Sequence, residues 1–503
     1  MPSIEESEYE QGDSRFDVLR ARAGLVLGPV LFFAVLLYPF DIKPEAHRLA
    51  AVIILVITLW ICESIPMPVT ALIGAVLAVA LKVAPVQQVF APFGDPLIFL
   101  FVGSFILARG IFLHQLDKRF AYSVLSLKWI DGRPERILFA FGAVTAFASA
   151  WLSNTATTAM MFAIGLSIIA FLKKQEDKSG RPFSKEFATV LMLITSFAAT
   201  IGGLMTPIGT PPNVIGIGFI RKQLGRDISF FKWMMFAAPI AIVLYFALYF
   251  YFRYISAGST PKIEGCREMV AKERTKLGSW TRGQKSTLAA FLVTVLIWVL
   301  SGFVALVIGE TAPFYKLLRE VLPESTAALI GASLLFFLPG NKKGEKAIDW
   351  SEAVKIDWGV VLLYAGGFTL GVLSFKTGLA EEFGRSLTNL VPSAGEFVLL
   401  SASVIVAVMI SETTSNTASA NMVVPVVIAL ANAKGLDPLV PALGATLGAS
   451  LGFMLPVSTP CNAIVYGSGH IPLMKMVRYG VLLDVFGAIV IIAMLTLMSA
   501  WIR

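Results

Sequence analysis

Ser149-Ala150-Trp151-Leu152-Ser153-Asn154-Thr155 and Ser411-Glu412-Thr413-Thr414-Ser415-Asn416-Thr417 place the tripeptide Ser-Asn-Thr twice, each time at the centre of a long apolar stretch. Small polar residues in hydrophobic surroundings carry a free-energy cost unless something requires them there. Two copies in equivalent settings imply a fold duplicated around a polar centre. Three further correspondences recur in the same chain order. Ala71-Leu72-Ile73-Gly74-Ala75 returns as Ala328-Leu329-Ile330-Gly331-Ala332, and Gly103-Ser104-Phe105 as Gly366-Gly367-Phe368. Thr210-Pro211-Pro212-Asn213 returns as Thr459-Pro460-Cys461-Asn462. The offsets are 257 and 263, then 262 for Ser-Asn-Thr and 249 for the last motif; the polar insert around 173–185, without a counterpart later, explains the drop.

The surroundings fix the solvent. Of 503 residues 56% are hydrophobic and only 15% charged, with mean hydropathy +0.76. Soluble chains carry roughly 25% charged residues. At roughly 20 apolar residues per crossing, the pattern predicts an all-α polytopic membrane protein with about eleven spans and two re-entrant hairpins. The spans are expected near 23–40, 48–64, 68–85, 94–113, 186–220, 230–252, 286–307, 325–339, 358–373, 438–469 and 477–499, and the hairpins at 136–172 and 395–433. The polar start, acidic and then basic, lacks the form of a cleaved signal peptide, so the first span reads as an uncleaved anchor.

Loop charge sets the orientation. With the N-terminus inside, the cytoplasmic segments hold 27 of the 41 lysines and arginines, as the positive-inside rule requires. An odd number of spans then puts the C-terminus outside. If each hairpin were a full span, the basic segment 172–186 would lie outside, so the re-entrant reading is preferred. The chain divides into 1–47 (N-terminal segment and first span), 48–252 (first repeat), 253–285 (basic cytoplasmic linker) and 286–503 (second repeat). With five spans and a hairpin each, the repeats are expected to be inverted, an architecture of secondary transporters. The net charge of +8 is spread over short loops, which argues against nucleic acid. Three cysteines (Cys62, Cys266, Cys461) and three histidines (His47, His114, His470) form no metal spacing.

Each half offers two breaks in apolar helix. Ser, Asn and Thr cap helix starts, so the tips should begin returning half-helices near 156–170 and 418–432. A helix N-terminus at membrane depth offers free N–H donors and partial positive charge to an anion. The second break is Met205-Thr206-Pro207-Ile208-Gly209-Thr210-Pro211-Pro212-Asn213, with its partner Leu455-Pro456-Val457-Ser458-Thr459-Pro460-Cys461-Asn462. Proline unwinds these segments, and freed carbonyls can hold a cation where they line a cavity. A single Ser-Asn-Thr is ordinarily packing glue between helices and a single Thr-Pro-Pro a kink. Four breaks in paired order favour a binding site. Ser149 and Ser411, each four residues before a tip serine, can face a cation or bond back to their own helix. Glu412 can serve as a cation or proton ligand or bond neighbouring backbone, and Asp95 and Arg109 are expected at interfaces or in pairs. Amphipathic arms along the membrane surface are expected at 114–135 and 376–394.

These motifs resemble the divalent anion:Na+ symporters, carriers of di- and tricarboxylates, over roughly residues 45–500. The resemblance implies a homodimer in which a scaffold holds a mobile transport domain that works as an elevator. It implies one sodium site at Ser149, Ser153, Asn154 and Gly209, and another at Ser411, Thr414, Asn416 and Ser458. Substrate carboxylates would meet Asn154, Thr155, Thr210, Pro211, Ser415, Asn416, Thr417, Thr459 and Pro460. Ser411 stands where the family pattern has threonine, and Cys461 where it has proline. The expected function is Na+-coupled import of C4-dicarboxylates such as succinate, malate and fumarate across a bacterial inner membrane, with Na+ as coupling ion and no other cofactor. Sodium-independent dicarboxylate exchange, transport of citrate or another divalent anion, and an anion channel are the alternatives. No catalytic constellation is legible, so an enzyme is not expected.

Overall fold

Apolar helices dictate the architecture, because a backbone in lipid must satisfy its hydrogen bonds within each segment. The computed structural model describes residues 15–179, 184–256, 263, 265–390 and 395–502. Among these the protein is all-α; the sole β feature is an isolated bridge between Pro339 and Lys346. Residues 1–14, Arg181, 391–394 and Arg503, to which parts of the sequence reading refer, lie outside the described residues.

Among the described residues, eleven helices are long and apolar enough to cross a membrane. They are not the same eleven as the predicted spans. Three are hairpin limbs, Asn154–Lys174, Glu396–Thr413 and Asn416–Ala433, whereas Met67–Ala80 and Leu439–Gly448 fall short of a full crossing. The predicted span 325–339 is helix Glu324–Phe337, preceded by Pro313–Val321 at a bend of 50°. The hairpins form where predicted. Helix Pro134–Trp151 packs against its return limb Asn154–Ser179, and Glu396–Thr413 against Asn416–Ala433. Both return limbs start two residues earlier than predicted, and the first runs on to Ser179. Lys173 and Lys174 therefore stand on a helix rather than in a loop, because no glycine or proline lies between Gly165 and Gly180.

Both proline-rich segments are unwound. Lys185–Gly203 and Pro211–Leu224 replace one predicted span, and Leu439–Gly448 and Pro460–Tyr466 another. The arms appear as Leu116–Leu125 and Leu379–Leu390. A helix within the linker, Cys266–Lys276, docks on the first arm, with Arg274 donating to Ser126 Oγ at 3.0 Å. Asp95 and Arg109 are indeed paired, to Arg221 and Glu352 respectively.

The repeated glycines explain the packing around which the hairpins sit. A Cβ at Gly103 would lie 2.6 Å from the Ala328 carbonyl carbon, and one at Gly366 would lie 2.6 Å from Ala71 Cβ. Helix Pro96–Leu113 thus presses on Glu324–Phe337, and Trp358–Thr377 on Met67–Ala80. Gly103 thus meets Ala328 and Gly366 meets Ala71, each glycine against the alanine of the other recurring segment.

Candidate functional site

Each hairpin tip is a cap in the literal sense. The first limb ends at Leu152, whose extended backbone (φ −122°, ψ 168°) stops the helix, and Ser153 Oγ accepts from Ala156 N at 3.2 Å to start the next. Ser415 repeats this with φ −129° and ψ 154°, its Oγ accepting from Ala418 N at 3.2 Å. The short helices after the unwound segments begin in extended conformation at Thr210 and Thr459, each followed by proline at the position where a missing N–H does least harm. Four helix N-termini therefore lie at the breaks, at Asn154, Pro211, Asn416 and Pro460. They pair across the halves: the limb Asn154–Ser179 packs on Pro460–Tyr466, and Asn416–Ala433 on Pro211–Leu224. Residues 149–160, 205–215, 411–422 and 454–465 contain no lysine or arginine. Any positive potential from these segments comes from backbone.

Within each half the tip asparagine is the hub. Ser149 Oγ lies 2.6 Å from the Asn154 side-chain amide. The same amide position lies 3.2 Å from the Gly209 carbonyl oxygen and 3.1 Å from that of Ala199. With its nitrogen turned there, the amide donates to three oxygens. With its oxygen turned there, four oxygens converge, of which only the Ser149 hydroxyl can donate, and the Gly209 and Ala199 carbonyls lose this donor. In the second half Ser411 Oγ donates to Asn416 Oδ1 at 2.8 Å and lies 2.9 Å from the Ala449 carbonyl, while Asn416 Nδ2 donates to the Ser450 carbonyl at 3.1 Å. Neither Ser149 nor Ser411 turns back to its own helix.

The remaining expected residues divide by exposure. Thr155 and Pro460 are exposed and Pro211, Asn416 and Thr417 half-buried, so these line accessible space beside the helix starts. Thr459 Oγ1 is engaged as a cap, accepting from Asn462 N at 3.1 Å, whereas Thr210 makes no side-chain cap. The structure does not bring the Thr414 hydroxyl to the second cluster. It donates at 2.7 Å to Ile410 O one turn earlier on its own helix. Ser458 Oγ donates to Glu412 Oε2 at 2.5 Å. Glu412 is buried and also accepts from Met454 N at 2.8 Å and Leu455 N at 3.3 Å, so it bonds neighbouring backbone. Beside it stands a second buried carboxyl, Asp484, on helix Leu473–Ile502.

Three features were not foreseen. Asn213 Nδ2 donates to the Gly203 and Thr206 carbonyls at 2.9 and 2.8 Å, and Asn462 Nδ2 to those of Gly452 and Leu455, both at 2.9 Å. Each asparagine thereby holds its unwound segment in shape. The signal was in the sequence, because Gly203, Thr206 and Asn213 recur as Gly452, Leu455 and Asn462 at the single offset of 249. The carbonyls of Ala199 and Ala449 carry no side-chain signature and could not have been found.

Paired half-helices and unwound backbone inside a bundle of apolar helices define a membrane transporter rather than an enzyme. The sodium:sulfate symporter transmembrane region family matches residues 21–503, and the chain belongs to that family. It is 34% identical over 475 residues to the sodium-dependent dicarboxylate transporter SdcS of Staphylococcus saprophyticus, covering 93% of this chain and 89% of the relative. The SdcS of Staphylococcus aureus strain bovine RF122 is 33% identical over the same shares. Among solved structures the Alcanivorax borkumensis YdaH transporter, described as having an unusual topology, matches with a TM-score of 0.55 over 97% of this chain and 98% of that one. At 12% identity that likeness concerns the fold alone.

Proposed function

We propose that this protein imports C4-dicarboxylates (succinate, malate or fumarate) together with Na+ across the bacterial inner membrane. The observation that carries the reading is the doubled asparagine hub, one at each hairpin tip, where amide, hydroxyl and carbonyl oxygens gather beside helix N-termini. Two anionic carboxylates with no arginine or lysine in these segments need countercharge, and Na+ next to each tip supplies it. Ser149, Asn154 and Gly209 form the first cation set with the Ala199 carbonyl, and Ser153 lies on the tip. Ser411, Asn416 and Ser458 form the second, with Thr414 joining if its hydroxyl turns from Ile410. The substrate meets Asn154, Thr155, Thr210, Pro211, Ser415, Asn416, Thr417, Thr459 and Pro460, exploiting four partial positive charges. The dicarboxylate names of the relatives at 33–34% identity support this substrate class.

The same reading takes the halves as inverted repeats, the N-terminus as cytoplasmic and the protein as a homodimer. The hairpins with 185–256 and 439–502 form a body that moves against a scaffold of the other spans. Uptake of labelled succinate into proteoliposomes tests it. Accumulation should require an inward Na+ gradient. Uptake indifferent to Na+ but accelerated by internal dicarboxylate would replace import by exchange, and currents far above carrier turnover would replace it by a channel.

A further inference from the structure

Where the hairpins meet the scaffold is informative about position. Hairpin two enters from the outer side, yet its tip Ser415 Oγ lies 3.2 Å from the sulfur of Met67, the first residue of Met67–Ala80 at that helix's cytoplasmic end. Hairpin one enters from the cytoplasm. After a limb of 18 residues its last residue, Trp151, stacks on Phe230 with ring centroids 6.1 Å apart and meets Phe291 edge-on at 5.6 Å. Both tips thus touch residues of the proposed scaffold, Met67 for hairpin two and Phe291 for hairpin one.

At its outer end the hairpin-bearing body is tied to the scaffold by charge. Arg221, in the last turn of Pro211–Leu224, donates to both oxygens of Asp95 at 2.7 and 2.8 Å. Asp95 in turn caps scaffold helix Pro96–Leu113 through Leu97 N at 2.9 Å. Arg319 of the outer scaffold helix bridges Glu324 and Asp227, the latter in the turn leading into Phe230–Ser256. Glu324 also accepts from Phe230 N at 3.2 Å, and the Phe230 ring stacks on scaffold Trp298 at 4.5 Å. These groups border an outer cavity of about 610 Å³. Arg221, Asp95, Arg319 and Glu324 keep no more than 30% of their side-chain surface exposed, so the pairs are screened less than ordinary surface bridges.

We infer that Asp95–Arg221 and Asp227–Arg319–Glu324 form a charge latch at the outer face that holds the transport body against the scaffold in the position seen here. The inference rests on the moving-body reading proposed above. A stroke of the body along the membrane normal must separate Arg221 from Asp95 and Asp227 from Arg319, while no such pair forms within the hairpin tips themselves. Weakening the latch shifts the resting population away from the latched position without touching a substrate or cation ligand.

The test is amide hydrogen exchange of full-length protein in nanodiscs, following residues 134–179 and 396–433. Arg221→Gln removes one arm of the latch. Asp227→Asn removes the other at a residue that is half exposed and so safe for folding. In the wild type, adding Na+ and succinate should change exchange of the two hairpins in opposite directions. In Na+-free buffer both variants should already differ several-fold from wild type in hairpin exchange, in opposite senses for the two hairpins, with binding of succinate preserved. Variants that match wild type, in a wild type whose hairpins do respond, overturn the latch. A wild type whose hairpins never change reciprocally overturns the moving-body reading, and the latch with it.

Discussion

The two halves hold the same hub with different tethers. In the first, the Thr206 hydroxyl donates to the Ala150 carbonyl, so the unwound segment supplies the side chain and the hairpin the backbone. In the second, Leu455 stands in the place of Thr206 and Glu412 in that of Ala150, and the roles are exchanged: the hairpin carboxylate accepts from the Met454 and Leu455 N–H groups. Backbone geometry is retained while the chemistry that fixes it changes. One consequence is electrostatic. The second hub has a carboxylate within one residue of Ser411, whereas the first has no charged residue between Arg136 and Lys173. A cation bound as proposed would meet an anionic wall in the second half and a purely dipolar one in the first, and the two sites are expected to differ in affinity.

The largest difference between the halves is expected from glycine. A Cβ at Gly203 would lie 2.3 Å from Asn154 Oδ1, whereas one at Gly452 would lie 3.2 Å from Asn416 Oδ1. Gly203→Ala must expel the Asn154 amide from its cage, and overpacking a filled interior costs about 1–3 kcal/mol before the lost hydrogen bonds are counted. Uptake by Gly203→Ala is expected to fall to background and by Gly452→Ala to remain near wild type, at matched protein levels. Equal loss in both would erase the asymmetry.

Asn154→Asp and Asn416→Asp come next. Each keeps side-chain size but loses a donor and adds charge that repels a dicarboxylate. A hydrogen bond to a charged group is worth about 1.5–3 kcal/mol, so succinate affinity should fall roughly ten- to a hundredfold. Cation affinity should hold or rise, most clearly for Asn154, where no carboxylate is yet present. Calorimetry with each ligand separately checks the opposite signs; unchanged succinate affinity in both variants would remove the asparagines from the site.

The duplicated motifs made the hubs legible because membrane sequence tolerates few polar residues, and those that stay announce themselves. Ser149, Ser411, Asn154 and Asn416 were found that way. Helix ends were less legible: both return limbs start two residues earlier than read, and the first runs past 172 to Ser179, since apolar and then helix-favouring residues continue there without a turn signal. The Thr414 hydroxyl was assigned to the second hub by resemblance, but a threonine one turn from a carbonyl on its own helix has a nearer acceptor, Ile410 O. Cross-chain pairs such as Arg221 with Asp95, 126 positions apart, leave no local trace at all.

A third contrast concerns the braces. Asn462 uses both ends of its amide, donating to two carbonyls and accepting from Ser196 Oγ at 2.6 Å. Asn213 makes the two donations, but its Oδ1 has no partner among the described residues. Stranding buried groups costs about 1–3 kcal/mol in all, so Asn462→Ala should destabilise more than Asn213→Ala, by about 1 kcal/mol. Thermal unfolding in detergent measures the difference, and a larger loss at Asn213 would reverse the assignment. Glu412→Gln should behave like Asn462→Ala in stability and also weaken Na+ binding, because Ser458 loses its charged acceptor.

The smallest effect separates the arms. On Leu379–Leu390 the acidic residues Glu381 and Glu382 are exposed, whereas on Leu116–Leu125 Asp117 is buried. Burial pushes the Asp117 carboxyl up from its ordinary value of 3.8 to about 6, with backbone N–H groups and Lys118 opposing only in part. A group with a raised folded value favours the docked arm most when protonated in both states, below about pH 4. That advantage is lost as pH rises through about 6, beyond which an ionised carboxylate is held against burial. Asp117→Asn removes the titration. The variant arm should therefore exchange its amides more slowly than wild type at pH 7.5, with the difference shrinking toward pH 5 after correction for intrinsic rates. The second arm should show no such dependence. A wild-type first arm whose protection stays level from pH 5 to 7.5 would mean that Asp117 finds a donor in the membrane-bound protein, and the contrast between the arms would then lie in sequence only.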